Sequence, residues 1–290
     1  MQQPDRTKFI LAMAKEIEDL NTAEVWELEE RNKIQKGNKV IKAIWSFKRK
    51  RLPDGTYLKH KARLCAHGGM QIEGEHYWDT YSPVVQWTTL RFMLTLSQIL
   101  GLHTRSIDFT LAYTQAPIDV DIYLELPQGF DIDGDRSQHV LKLKKNLYGL
   151  KQAGLSWYET LHDHLVQQGF KQSESDPCFF NRGELILVCY VDDCLIFARK
   201  KDDVNKLIAT LQENFVLTDE GDVTTYLGIQ VEKWDNEEKE GLRLSQPHLT
   251  RRIIEAAGLT DQRLHDTPAE PRKLLTKESN GEPRKHNWNY

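Results

Sequence analysis

Two aspartates stand side by side at positions 192 and 193, between the apolar runs LILVCY (Leu185 to Tyr190) and CLIFA (Cys194 to Ala198). Hairpin turns ordinarily favour Asn-Gly or Asp-Gly, whose second residue tolerates positive φ. Asp-Asp has no such advantage, and like charges held together repel. A divalent cation offsets that repulsion. Mg²⁺ takes a few carboxylates and completes an octahedron with water and substrate phosphates. Two such ions about 3.5–4 Å apart activate an attacking hydroxyl and stabilise the leaving oxygen of a phosphoryl transfer. Without a metal, the pair would be a solvated turn with two surface acids. Whether the upstream Asp108 joins them is a question of topology.

The elements around these residues supply an answer. Leu102 to Asp108 reads as a strand. Gly149 to Gln168 reads as a helix, with Leu150, Trp157, Leu161 and Leu165 at helical spacing. Two buried strands flank a tight turn at Val191-Asp192-Asp193. A helix follows from Asp203 to Phe215, with Val204, Leu207, Ile208, Leu211 and Phe215 on one face, and then a strand from Thr225 to Val231. The order β-α-β-β-α-β is the ferredoxin-like unit. In that topology the first and third strands are neighbours, which brings Asp108 to the Asp192-Asp193 hairpin. Outside this unit, Phe9 to Leu20 reads as a short amphipathic helix and Val40 to Phe47 as a strand. A turn at Pro53-Asp54-Gly55 and a returning strand from Tyr57 to Cys65 follow. Thr88 to Leu100 reads as a helix with Thr88 as N-cap and Gly101 just past its end. A turn is expected at Asp235 to Gly241, with Leu242 to Leu244 pairing back.

Net charge is −4 over 290 residues, but it is unevenly spread. From Arg31 to Arg63 there are twelve lysines and arginines against one acid, Asp54. Such a block binds polyanions locally in a chain that is acidic overall; the alternative is a solvated surface or arm. No run approaches the ~20 apolar residues of a membrane helix, and the N-terminus has no secretory pattern. Four cysteines (Cys65, Cys178, Cys189, Cys194) without a CxxC pair read as reduced thiols rather than a disulfide framework or a structural zinc.

Tyr190-Val191-Asp192-Asp193 has the form of the reverse transcriptase YxDD box, and the chain resembles the copia-type LTR retrotransposon family along most of its length. Lys61-Ala62-Arg63-Leu64 with Ala66, Tyr81-Ser82-Pro83-Val84-Val85 and Asp108 to Tyr113 (DFTLAY) resemble successive family segments. So do Ile122-Tyr123 with Leu126 to Phe130 (LPQGF), Leu147 to Ala153 (LYGLKQA) and Tyr226-Leu227-Gly228-Ile229. The resemblance implies an α+β right-hand polymerase with a ferredoxin-like (βαββαβ) palm, α/β fingers and a partial thumb or connection. The expected bounds are a lead helix at 1–23, a reverse transcriptase domain at 24–267 and a truncated thumb at 268–290. Within the domain, fingers would span about 24–101 and 114–148, and palm about 102–113 and 149–240.

The resemblance also implies roles. Asp108, Asp192 and Asp193 would be catalytic and would bind two Mg²⁺ ions, with Mn²⁺ as a substitute, and the Phe109 backbone would complete one shell. Arg63, with Lys48 or Lys50, would hold the triphosphate of a dNTP. Ala112 and Tyr113 would lie under the deoxyribose, the Tyr113 ring excluding a 2′-hydroxyl, and Gln152 would touch the nucleotide. Tyr190 and Val191 would meet the primer, and Tyr226, Leu227 and Gly228 would grip it. Expected partners are RNA or DNA template-primer, dNTPs and the rest of a Pol polyprotein with RNase H and integrase, with no membrane. The expected location is the cytoplasm, in a virus-like particle, with a nuclear phase and no secretion.

The chain departs from the family pattern at Gly154 (usually Pro), His67 (usually Lys), Gln86 (usually Arg) and Cys194 (usually aliphatic). His162-Asp163-His164 reads as an exposed helix face. Two other readings compete with an active polymerase: a non-catalytic nucleic-acid-binding remnant, and, by fold analogy alone, a nucleotide cyclase, which would lack the basic block and LYGLKQA.

Overall fold

The computed structural model describes residues 5–35, 37–52, 54–236 and 239–260. The chain divides into two compact units, Met1–His248 and Leu249–Tyr290. Every feature described below lies in the first, and the expected thumb segment at 268–290 lies outside the described residues.

LILVCY and CLIFA are apolar at every position because both faces of their sheet are covered. Strands Leu185–Tyr190 and Asp193–Ala198 form a hairpin, and Asp193–Ala198 pairs on its other side with His103–Phe109. Side chains alternate between faces. Ile107, Phe109, Leu187, Cys189, Cys194, Ile196 and Ala198 face helices Ala153–Gln167 and Lys201–Gln212. Val188, Leu195 and Phe197 face helix Trp87–Leu100 and the hairpin that follows the palm. Asp108 and Asp193 take this second side, at the end where the apolar cover stops.

The sheet runs Leu217–Gly221, His103–Phe109, Asp193–Ala198, Leu185–Tyr190, Phe179–Arg182, Lys171–Gln172, antiparallel throughout. Its first four members have the ferredoxin-like order, with one correction to the sequence reading. The closing strand is Leu217–Gly221, while the expected strand from Thr225 to Val231 is broken. Leu227 and Gly228 both have positive φ (48° and 80°), the signature of a two-residue hairpin turn. Thr225–Tyr226 and Ile229–Asn236 therefore pair with each other, and Lys239–Ser245 joins them as a separate sheet. The true edge strand, LTDEG, is polar and carries a bulge at Glu220, so alternation could not reveal it.

Before the palm, strands Trp26–Glu30, His139–Leu143, Tyr123–Leu124 and Val40–Ile41 form a small sheet. The expected single strand from Val40 to Phe47 is split at Lys42, whose carbonyl accepts the His67 N–H at 2.9 Å. Its first two residues pair in parallel with Tyr123–Leu124, and the rest becomes a long hairpin of Ala43–Arg51 with Tyr57–Ala66. Helix Arg6–Thr22 lies along that hairpin through Phe9, Met13, Ile17 and Leu20. Its buried Glu16 accepts the Leu64 N–H at 3.1 Å.

Three smaller expectations also shift. The helix expected from Thr88 begins at Trp87 with Gln86 at its cap and no side-chain capping bond, and Asp176 accepts the Gln86 N–H at 3.0 Å; Gly101 closes it in left-handed geometry. The helix expected from Gly149 begins at Ala153. His162 and His164 are half-buried rather than exposed, His162 bonded to Asp163 and His164 set against Phe215.

Candidate active site

Asp108 lies directly opposite Asp193 in the pairing of His103–Phe109 with Asp193–Ala198. Asp192 sits beside them in the turn, so Asp108 meets the Asp192-Asp193 pair at one end of two interior strands of the sheet. The turn is one residue shorter than the sequence reading placed it. Tyr190 pairs with Asp193, leaving Val191 and Asp192 as the loop, with Val191 at φ 56°. Burial first, then Asp192, raises the pKa of Asp108. Burial first, then Asp192 and Asp108, pushes Asp193 up to about 7. Glu220 adds to the repulsion on both, and Lys50 relieves part of it. The bulge that displaces Glu220 lets its carboxylate accept the Ser106 hydroxyl at 3.1 Å.

This donor set suits a hard cation. It is built of carboxylate oxygens, partly desolvated and mutually repelling, so positive charge is what it lacks. Among the described residues no three His, Cys, Asp or Glu side chains close into a ready cage. Mg²⁺ does not require one, since it completes its shell with water and substrate phosphates.

The basic hairpin supplies the opposite charge. Its register pairs Ser46 with Arg63, Lys48 with Lys61 and Lys50 with Lys59. With a period of two, Lys48, Lys50, Lys59, Lys61 and Arg63 share one face. The other face carries Trp45, Phe47 and Arg49 with Leu64, Ala62 and His60. Helix Arg6–Thr22 covers it, Phe9 packing on Phe47 and His60 while Asp5 accepts from Arg49 and His60. Lys50 and Lys61 lower the pKa of Asp108, against the rise caused by burial and Asp192. Burial and the neighbouring Arg63 lower the pKa of Lys61. The sequence reading missed Lys61, although alternation along the hairpin marks it.

Arg63 stacks over the Tyr148 ring at 3.9 Å, and Tyr148 packs against Tyr113 at 4.8 Å. LYGLKQA is held where it is by two glycines at close backbone approaches. A Cβ on Gly149 would fall 2.2 Å from the Ala66 carbonyl oxygen, and one on Gly68 would fall 2.2 Å from that of Gly149. The same segment brings in Gln152 through a chain of forced donors. The Lys151 N–H donates to Gln71 Oε1 at 2.7 Å, so Gln71 Nε2 donates to Gln152 Oε1 at 2.9 Å. Gln152 Nε2 is left buried with no protein acceptor. Gln71, also missed from sequence, is the residue that turns this donor outward from the network.

A family model described as reverse transcriptase (RNA-dependent DNA polymerase) matches residues 23–271. The chain belongs to the reverse transcriptase family. It is 32% identical over 282 residues to the retrovirus-related Pol polyprotein from transposon TNT 1-94 of Nicotiana tabacum, covering 96% of this chain and 21% of that protein. It is 33% identical over 241 residues to the corresponding polyprotein from transposon RE1 of Arabidopsis thaliana, covering 82% and 16%. The chain thus spans about a fifth of the length of these relatives. A foamy viral protease-reverse transcriptase in complex with double-stranded DNA aligns over 80% of this chain and 35% of its own, at 14% identity and a TM-score of 0.40.

The remaining residues named from sequence have these places in the fold. The Phe109 N–H donates to the Asp192 carbonyl at 2.8 Å, tying the strand of Asp108 to the turn. Ala112 is buried and opens a short helical turn that also holds Tyr113. Tyr190 is half-buried beside Val191. Tyr226 is 4% exposed, and its hydroxyl donates to the Asp193 carbonyl at 3.1 Å. Leu227 is half-buried and Gly228 exposed, in the turn of the next hairpin. Cys194 is buried in the palm core, and all four cysteines are free thiols. No helix among the described residues is long and apolar enough to cross a membrane.

Proposed function

We propose that this chain is the fingers-and-palm part of an RNA-directed DNA polymerase that adds dNTPs to a primer 3′-hydroxyl on an RNA or DNA template. The observation that carries the reading is the cross-strand pairing of Asp108 with Asp193, with Asp192 in the adjoining turn, faced by the cations of the fingers hairpin. Asp108, Asp192 and Asp193 would hold Mg²⁺ or Mn²⁺, with the Phe109 backbone as a further ligand. Bound there, the metal lowers the pKa of the primer hydroxyl and neutralises charge on the phosphoryl oxygens.

The other groups bind and orient. Arg63, Lys48, Lys50 and Lys61 face the triphosphate, and their charge counts most as pyrophosphate leaves. Tyr113, backed by Tyr148 and beside Ala112, stands under the sugar and excludes a 2′-hydroxyl. Gln152 offers its unpaired N–H to the nucleotide. Tyr190, Val191, Leu227 and Gly228 border the primer, while the Tyr226 hydroxyl steadies the strand of Asp193. In the whole element, RNase H and integrase portions of a Pol polyprotein would act with this part.

Primer extension on an RNA template with Mg²⁺ tests the proposal. Wild-type protein should incorporate dNTPs. Asp192→Asn should reduce incorporation to background while template binding persists and weakens with salt, as phosphate contacts do. Wild-type protein that binds template and never extends it would favour the non-catalytic reading.

A further inference from the structure

The catalytic turn is held in a conformation its own residues do not favour. Val191 has φ 56°, left-handed backbone in which a β-branched L-residue is an outlier. Such geometry persists where the surroundings over-determine it. Here three consecutive carbonyls accept bonds from outside the hairpin: Val191 from Trp157 Nε1 at 2.8 Å, Asp192 from the Phe109 N–H at 2.8 Å, and Asp193 from the Tyr226 hydroxyl at 3.1 Å. Only the first acts on the strained residue itself.

The Trp157 ring is 1% exposed, at the first turns of helix Ala153–Gln167, whose first residue is the last of LYGLKQA. It packs edge-on against Phe109 at 5.0 Å and Phe215 at 5.6 Å. Phe109 directly follows Asp108. One side chain therefore fixes the backbone on both sides of the carboxylate pairing, by packing beside Asp108 and by hydrogen bond at the turn of Asp192. Packing alone would need an aromatic ring and no N–H. A tryptophan whose N–H ends on the strained carbonyl does more than fill space.

We infer that Trp157 is a positioning residue, whose indole N–H holds the Val191-Asp192 turn so that Asp192 and Asp193 stand beside Asp108. The inference rests on the polymerase reading, in which those carboxylates bind metal.

The test compares wild-type protein, Trp157→Phe, and a variant in which benzothiophene replaces the indole, keeping its shape and removing the N–H. Each is made with Val191 and with Val191→Gly. Two readouts are used: Mn²⁺ affinity by electron paramagnetic resonance, and kcat and KM for dNTP in primer extension. Loss of the N–H should weaken Mn²⁺ binding and lower kcat by about 10–100-fold, the range for partners that orient metal ligands, with KM for dNTP nearly unchanged. In the Val191→Gly background the loss should shrink to a few-fold, because glycine adopts positive φ without support. The inference is overturned if the benzothiophene variant binds Mn²⁺ as wild type does, or if the loss is the same size in both backgrounds. If wild-type protein binds Mn²⁺ but never extends a primer, the polymerase reading fails, and the Mn²⁺ affinities still decide the role of Trp157.

Discussion

At the scale of the residue, the site is a set of charges whose ordinary ionisation the fold opposes. The Asp193 carboxyl has an ordinary pKa of 3.8 and is pushed up to about 7 by burial and by Asp192 and Asp108. An acid whose folded pKa lies above its unfolded value binds its proton more tightly when folded. Stability is then full below the unfolded pKa and falls as pH rises through the folded one. With chelator present, Asp193→Asn should raise the urea midpoint at pH 8 and leave it nearly unchanged at pH 3. Saturating Mg²⁺ should reverse the order at pH 8, since metal binding to wild type adds stability the variant cannot gain. Gln71 lends itself to a second test. In Gln71→Leu, Gln152 loses the partner that orients it, so KM for dNTP should rise about tenfold, with template affinity unchanged in a binding titration. Buried bonds left unmade should cost about 1–3 kcal/mol of stability, read by denaturation.

At the scale of the element, two glycines five positions apart have opposite requirements. Gly149 has φ +88° and an added Cβ would fall 2.2 Å from a backbone oxygen, so Gly149→Ala should destabilise by about 2–4 kcal/mol. Gly154 lies in the first turn of helix Ala153–Gln167, where an added Cβ would make ordinary contact with Ser82 at 3.5 Å. Gly154→Ala should therefore stabilise by about 0.5–1 kcal/mol, measured by thermal denaturation. A first-turn position also accepts proline. Helices were legible because their apolar faces repeat strongly, as at Val204, Leu207, Ile208 and Leu211. The edge strand Leu217–Gly221 was not, because an edge needs no apolar alternation and its bulge breaks the period.

At the scale of the whole molecule, charge separation matters more than the net −4. The cations lie on one face of the hairpin of Ala43–Arg51 with Tyr57–Ala66 and the carboxylates on the six-stranded sheet, and Lys50 and Lys61 offset part of the repulsion on Asp108. If Lys50 and Lys61 serve the triphosphate, Lys50→Gln with Lys61→Gln should raise KM for dNTP about tenfold or more. Template-primer affinity, and its slope against salt, should change little in a fluorescence binding assay, because no phosphate contact to the nucleic acid is removed. A fall in that slope by about two would place both lysines on the template instead.

Some of this was settled by local order along the chain. Asp-Asp between two apolar runs, the twelve cations from Arg31 to Arg63, and the β-α-β-β-α-β succession all follow from neighbours in sequence, where periodicity and turn chemistry operate. Which strand closes the sheet, how Gln71 meets Gln152, and how Val191 is kept at positive φ were decided by tertiary structure. The physical reason is that each depends on partners far away along the chain. Trp157 meets Val191 across 34 positions and Gln71 meets Gln152 across 81, and no local pattern encodes contacts at that distance.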